Sequence, residues 1–139
     1  MSGVAYFIYL VRDVYVNPIA AVLAAGSIVA FAATKCDSIG SRLRLFLLGC
    51  LPPFAMPMAI LVVGVVYVSK PPWVTGVEAP AFPGYIIEAL TLAHFPLAAL
   101  MIWWWGKRWP AIAVSWACAG VLSLAAGFIS SMSVTGIWL

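Results

Sequence analysis

Long stretches of this chain carry no charged side chain: residues 45–69 form one, and everything after Arg108 forms another. Within them apolar residues follow one another without alternating, which suits a helix in lipid and not a half-buried strand. In hydrocarbon every backbone N–H and C=O must find its partner inside the protein, so only helices or closed barrels can span a bilayer. Composition leads to the same solvent. The 139 residues are 65% hydrophobic and 8% charged, whereas a soluble domain is about 25% charged. Seven Lys and Arg with four Asp and Glu cannot give a fold of this size a polar shell. The expectation is an all-α integral membrane protein, one membrane domain over residues 1–139.

The runs divide into four spans, at about 15–34, 45–69, 85–105 and 110–131. Asn17-Pro18 and Pro110 suit first turns, where the missing proline N–H costs nothing. Pro52, Pro53 and Pro57 fall inside the second span and should kink it. The architecture predicted is an antiparallel four-transmembrane-helix bundle with a proline-kinked second helix. Residues 4–16, apolar and aromatic until Arg12-Asp13, are too short to span alone and read as an N-terminal interfacial segment or a tilted extension of the first helix. The start of the chain lacks the basic region and small-residue cleavage site of a signal peptide, so no processing is expected. Residues 35–44 read as a polar loop, 106–109 as a tight turn, and 70–84 as a loop whose prolines and glycines forbid a regular helix.

The positive-inside rule gives an orientation. Alternate ends of four spans collect Lys35, Arg42, Arg44, Lys107 and Arg108 on one side, against Arg12 and Lys70 on the other. The five-charge side is expected in the cytoplasm of a bacterial-type inner membrane, with loops 35–44 and 106–109 there and both termini outside. Trp103, Trp104, Trp105 and Trp109 would form the cytoplasmic aromatic belt. The net charge of +3 is too sparse and too close to span ends to indicate a nucleic-acid partner.

In the fourth span, Ala111, Ser115, Ala119, Ser123, Gly127 and Ser131 recur every fourth residue as a ridge of small side chains. Lipid supplies no hydrophobic drive between helices, so close backbone approach and dispersion must hold them. Ala21 and Ala25, with Ala20 and Ala24, offer a counterpart on the first span. The ridge could face that helix or another protein chain.

The third span carries Glu88 and His94, with Thr91 between them. Spacings of three place them on a drifting stripe. A charge at mid-bilayer costs about 2.5–3.5 kcal/mol or more, so intramembrane ionisable groups are functional candidates by default. One reading is a proton or cation path along Glu88, Thr91 and His94. The other has Glu88 reaching headgroup water, Lys70 or Arg12, and His94 bonding a carbonyl or hydroxyl on another helix.

Other chemistries lack parts. A single histidine excludes bis-His haem within one chain. A catalytic zinc site needs about three protein ligands, and Cys36, Cys50 and Cys118 are scattered, so no metal or other cofactor is expected. Ser115 or Ser123 meeting His94 would lack a third carboxylate at matching depth. No phosphate-binding or nucleophile-elbow motif occurs. In the 70–84 loop, Trp73 and Phe82 could anchor a docking partner or cap the bundle in the headgroup layer.

The function expected is a non-catalytic accessory or structural subunit of a larger membrane assembly. Its partners would be the bilayer and other membrane subunits, or further copies of itself. The alternative is a small oligomeric transporter or channel using the Glu88, Thr91 and His94 stripe.

Overall fold

The computed structural model describes residues 5, 12, 18–36, 38–68 and 79–136. Among them there is no strand. Four helical stretches follow one another: α1 over Pro18–Ala33, α2 over Ile39–Val66, α3 over Phe82–Trp104 and α4 over Trp109–Thr135. Helices α2 and α3, and the stretch Gly106–Thr135 that includes α4, are long and apolar enough to cross a membrane. They mark the chain as a membrane protein. Helix α1, with 16 residues, is apolar but shorter. The expected start of the first span at residue 15, the interfacial segment, most of the 70–84 loop, Trp73 and Lys70 lie outside the described residues.

Two supposed loops turn out to be partly helical. Residues 35–44 are not a loop throughout, because α2 begins at Ile39. Ser38 caps it: its side chain accepts from the Ser41 N–H, and Ser41 answers at the Ser38 N–H. This reciprocal arrangement satisfies two N–H groups that a helix start would leave open. At the other loop, α3 starts at Phe82. Pro83 sits in its first turn, where proline is tolerated. Phe82 is therefore the first residue of a helix and not part of a free loop.

Helix α2 changes its winding midway. Pro52 and Pro53 have no N–H to give to the ladder. Residues Phe46–Cys50 open into a π turn, with the Leu51 N–H reaching the Phe46 carbonyl at 2.9 Å. Pro52–Phe54 then tighten into a 3₁₀ turn, with the Phe54 N–H on the Leu51 carbonyl at 3.1 Å, before α winding resumes over Ala55–Val66. The π turn lays Gly49 against the end of the Ile112 side chain and beside the Trp105 ring.

Helix α4 is the hub. It packs against α1, α2 and α3, and α2 also meets α3. Apolar contacts form one cluster around Ile60, Ile87, Ala126 and Ile129, and a second around Leu45, Cys50, Ile112 and Trp116. Helix α1 closes on the second cluster through Phe31, whose ring lies 5.3 Å from that of Phe46. The face of α1 differs from the one expected. Ala21, Ala24 and Ala25 are exposed, and the inward side carries Ser27 with half-buried Leu23, Gly26, Ala30 and Phe31. Both faces have small residues, but only the second also carries the aromatic ring that reaches Phe46.

The turn between α3 and α4 is short because Gly106 adopts φ of 49°, a conformation L side chains rarely accept. Gly136, with φ of 68°, closes the other end of α4 in the same way.

Candidate functional site

Three side chains of the α3 stripe go to three different environments. His94 is 2% exposed, near the middle of a 23-residue helix. Its Nε2 lies 2.8 Å from the carbonyl oxygen of Trp116 on α4. A carbonyl only accepts, so Nε2 carries the proton and donates. The Trp116 ring stands 5.0 Å from the imidazole, centroid to centroid. Nδ1 is buried and has no partner among the described residues.

Gly120 stands close against this bond. In the helix ladder the Trp116 carbonyl is also the acceptor for the N–H of Gly120. A Cβ at position 120 would stand 3.2 Å from His94 Nε2, so the imidazole packs directly against the bare backbone there. A second close approach follows seven residues on. A Cβ on Gly127 would meet Thr91 Oγ1 at 3.0 Å. His94 opposite Gly120 and Thr91 opposite Gly127 run in opposite order along the two helices, so α3 and α4 are antiparallel neighbours.

Thr91 is half-buried, and its hydroxyl donates to the Ile87 carbonyl of its own helix at 2.8 Å. Glu88 is exposed. It borders an open groove of about 560 Å³ between α3 and α4. Thr91, Gly127, Ser131 and Thr135 line the same groove, Leu92 and Phe128 supply apolar wall, and among the described residues no cationic side chain lines it. Glu88 lies six residues into α3, about 9 Å along the axis. The groove thus places a carboxylate and hydroxyl-bearing side chains on the outer surface of two membrane helices.

The small-residue ridge leads from the core to this groove. Ala111, Ser115, Ala119, Ser123 and Gly127 are buried within the single chain, and Ser131 is half-buried at the groove. The Ser115 and Ser123 hydroxyls and the Trp116 indole N–H have no hydrogen-bond partner among the described residues. Two serines off the ridge do more. Ser130 Oγ donates to the Ile60 carbonyl at 3.1 Å, and Ser133 Oγ to the Gly64 carbonyl at 2.8 Å, tying α4 to α2. No periodic signal singles them out, since α4 carries small residues on several sides. Gly120 also lies off the ridge, and only its pairing with His94 reveals it.

Comparison with known proteins identifies no relative. No family model, no curated protein and no solved structure matches the chain. Function must therefore be argued from the site. Among the described residues no three His, Cys, Asp or Glu side chains converge. What the arrangement offers is recognition: the groove can accept hydrogen bonds at a carboxylate and at hydroxyl oxygens, and it favours a cationic or hydroxyl-bearing group. His94 instead serves the joint between α3 and α4.

Proposed function

We propose that this protein is a non-catalytic accessory or structural subunit of a larger membrane assembly. It would be an antiparallel bundle of four transmembrane helices with a proline-kinked second helix. The observation that carries the reading is Glu88, a carboxylate facing outward on the open α3–α4 groove with no cation lining that groove among the described residues. Such a group in a membrane helix gains most from a partner. A helix of another subunit bringing a basic or hydroxyl side chain would supply it, with Ser131 beside it.

The placement of His94 supports the same reading over transport. A conducting path needs polar groups along a common wet line. Here the stripe turns from the outer surface at Glu88 into a packed interior at His94. The orientation that goes with the proposal puts Lys35, Arg42, Arg44, Lys107 and Arg108 in the cytoplasm of a bacterial-type inner membrane, with both termini outside.

The test is the mass and composition of the particle extracted gently from its native membrane. Wild-type chain should co-purify with other chains in fixed ratio, and Glu88→Gln should lose them while keeping the monomer folded. A pure homo-oligomer with flux that Glu88→Gln abolishes would instead establish the transporter reading.

A further inference from the structure

At the end of the molecule opposite the Glu88 groove, the fold brings together cations that are far apart in sequence. Lys35 follows the C-terminus of α1, and Lys107 and Arg108 form the α3–α4 turn. All three border one groove of about 540 Å³ between α1 and α4. Among the described residues, none that lines it is acidic. Its wall continues along the two helices as Ala30, Ala33, Ala111 and Val114, small or apolar side chains that leave room beside them.

We propose that this groove binds one anionic phospholipid, its headgroup phosphate between Lys35 and Lys107 and an acyl chain along the Ala30–Ala111 wall. The basic end attracts the phosphate, and a basic pocket between membrane helices is suited to such headgroups. Helix dipoles do not decide the matter. The start of α4 favours an anion, the end of α1 disfavours it, and each acts only over about a turn. The side-chain cations therefore carry the binding. Exposed Trp103, Trp104 and Trp109 stand at the same end, where indole rings prefer the headgroup layer, which sets the groove at phosphate depth. A free phosphate would satisfy the cations but leave the apolar wall without a role.

The full chain, purified and reconstituted in phosphatidylcholine nanodiscs, is titrated with phosphatidylglycerol, and retained lipid is counted by native mass spectrometry. Wild type should retain one phosphatidylglycerol in preference to phosphatidylcholine, more weakly as salt rises. Lys35→Gln with Lys107→Gln should weaken retention about 30-fold, from about fivefold per basic residue near a membrane surface. Arg42→Gln with Arg44→Gln removes the same charge away from this groove and should change retention less than threefold. Lys35→Arg with Lys107→Arg should restore it, and an unchanged Tm in phosphatidylcholine shows that the variants are folded. The proposal is overturned if both double-Gln variants lose retention alike, if phosphatidylglycerol is held no better than phosphatidylcholine, or if inorganic phosphate at equal concentration displaces it fully.

Discussion

Helices α3 and α4 are neighbours, both apolar and both long enough to span a membrane, yet they are built on opposite plans. In the most apolar window of each, 11% of α3 is buried and 61% of the α4 stretch is. Helix α4 puts Ala, Gly and Ser inward and touches three neighbours. Helix α3 turns Tyr85, Leu92, Phe95 and Leu100 outward and buries only Pro83, Ile87 and His94. In water this would be a poor distribution. In lipid, large apolar side chains lose nothing by facing out, and the interior is best given to residues that let backbones approach. The difference teaches that α4 is held by closeness, whereas α3 is held at a few specific points.

The sharpest way to break that contrast is to remove closeness at one point. Gly120→Leu would force a branched side chain where even a Cβ stands 3.2 Å from His94. Overpacking costs about 1–3 kcal/mol, and the His94 bond would go with it. The expected loss is about 3 kcal/mol in unfolding from mixed micelles. Gly120→Ala is the internal comparison. It requires His94 to give by only a few tenths of an ångström, and Ala gains about 1 kcal/mol of helix propensity over Gly. It should be close to neutral. If the two variants were equally destabilised, backbone conformation and not the imidazole contact would be at stake.

The next largest effect tests what His94 contributes. His94→Ala leaves a hole against Trp116 and Gly120 and removes one interhelical hydrogen bond. Such bonds average about 0.6 kcal/mol in membrane proteins, while emptying a packed site costs about 2 kcal/mol or more. His94→Phe keeps a ring in the site, slightly larger, and loses the bond, so it should cost about 1 kcal/mol. Equal costs for the two would mean that the hydrogen bond outweighs packing at this joint.

Smaller still is the tie between α4 and α2. Replacing Ser130 and Ser133 together by Ala removes the bonds to the Ile60 and Gly64 carbonyls. The Ile60 carbonyl remains in the ladder of α2, whereas the Gly64 carbonyl lies in the last turn of that helix and keeps no other partner shown among the described residues. At about 0.6 kcal/mol each, less the helix propensity that Ala gains and more for the Gly64 carbonyl left open, the pair should cost about 1–2 kcal/mol in the same assay. A loss of several kcal/mol would show that α2 is held to α4 mainly through these hydroxyls.

These sites also show what could be read from the chain beforehand. Continuous apolar runs reveal the membrane helices because period and length survive without knowledge of contacts. The helix start at Ile39 escaped, because the usual signature places Glu or Gln three residues after the cap and here Ser41 stands there. The ridge from Ala111 to Ser131 is visible as a spacing, but its neighbours are not. Small residues recur on several sides of α4, so spacing alone cannot assign Gly127 to Thr91 or choose the Ser27 face of α1 over the Ala21 face. Glu88, Thr91 and His94 look like one stripe in the sequence, yet the helix turns far enough between them that the first faces out and the last faces in.

The smallest effect concerns the outward faces themselves. Leu100 on α3 is 49% exposed and Val121 on α4 is 51% exposed, both away from the Glu88 groove. Lipid tails replace whatever contacts a shorter side chain loses, so Leu100→Ala and Val121→Ala should each change monomer stability by less than about 0.5 kcal/mol. The same pair measured in the intact extracted particle separates lipid from protein as the covering. A residue whose truncation stays silent there faces acyl chains. One that becomes costly only in the particle lies under another subunit, and the contrast between α3 and α4 would then describe an exposed helix waiting for its neighbour instead of one finished against lipid.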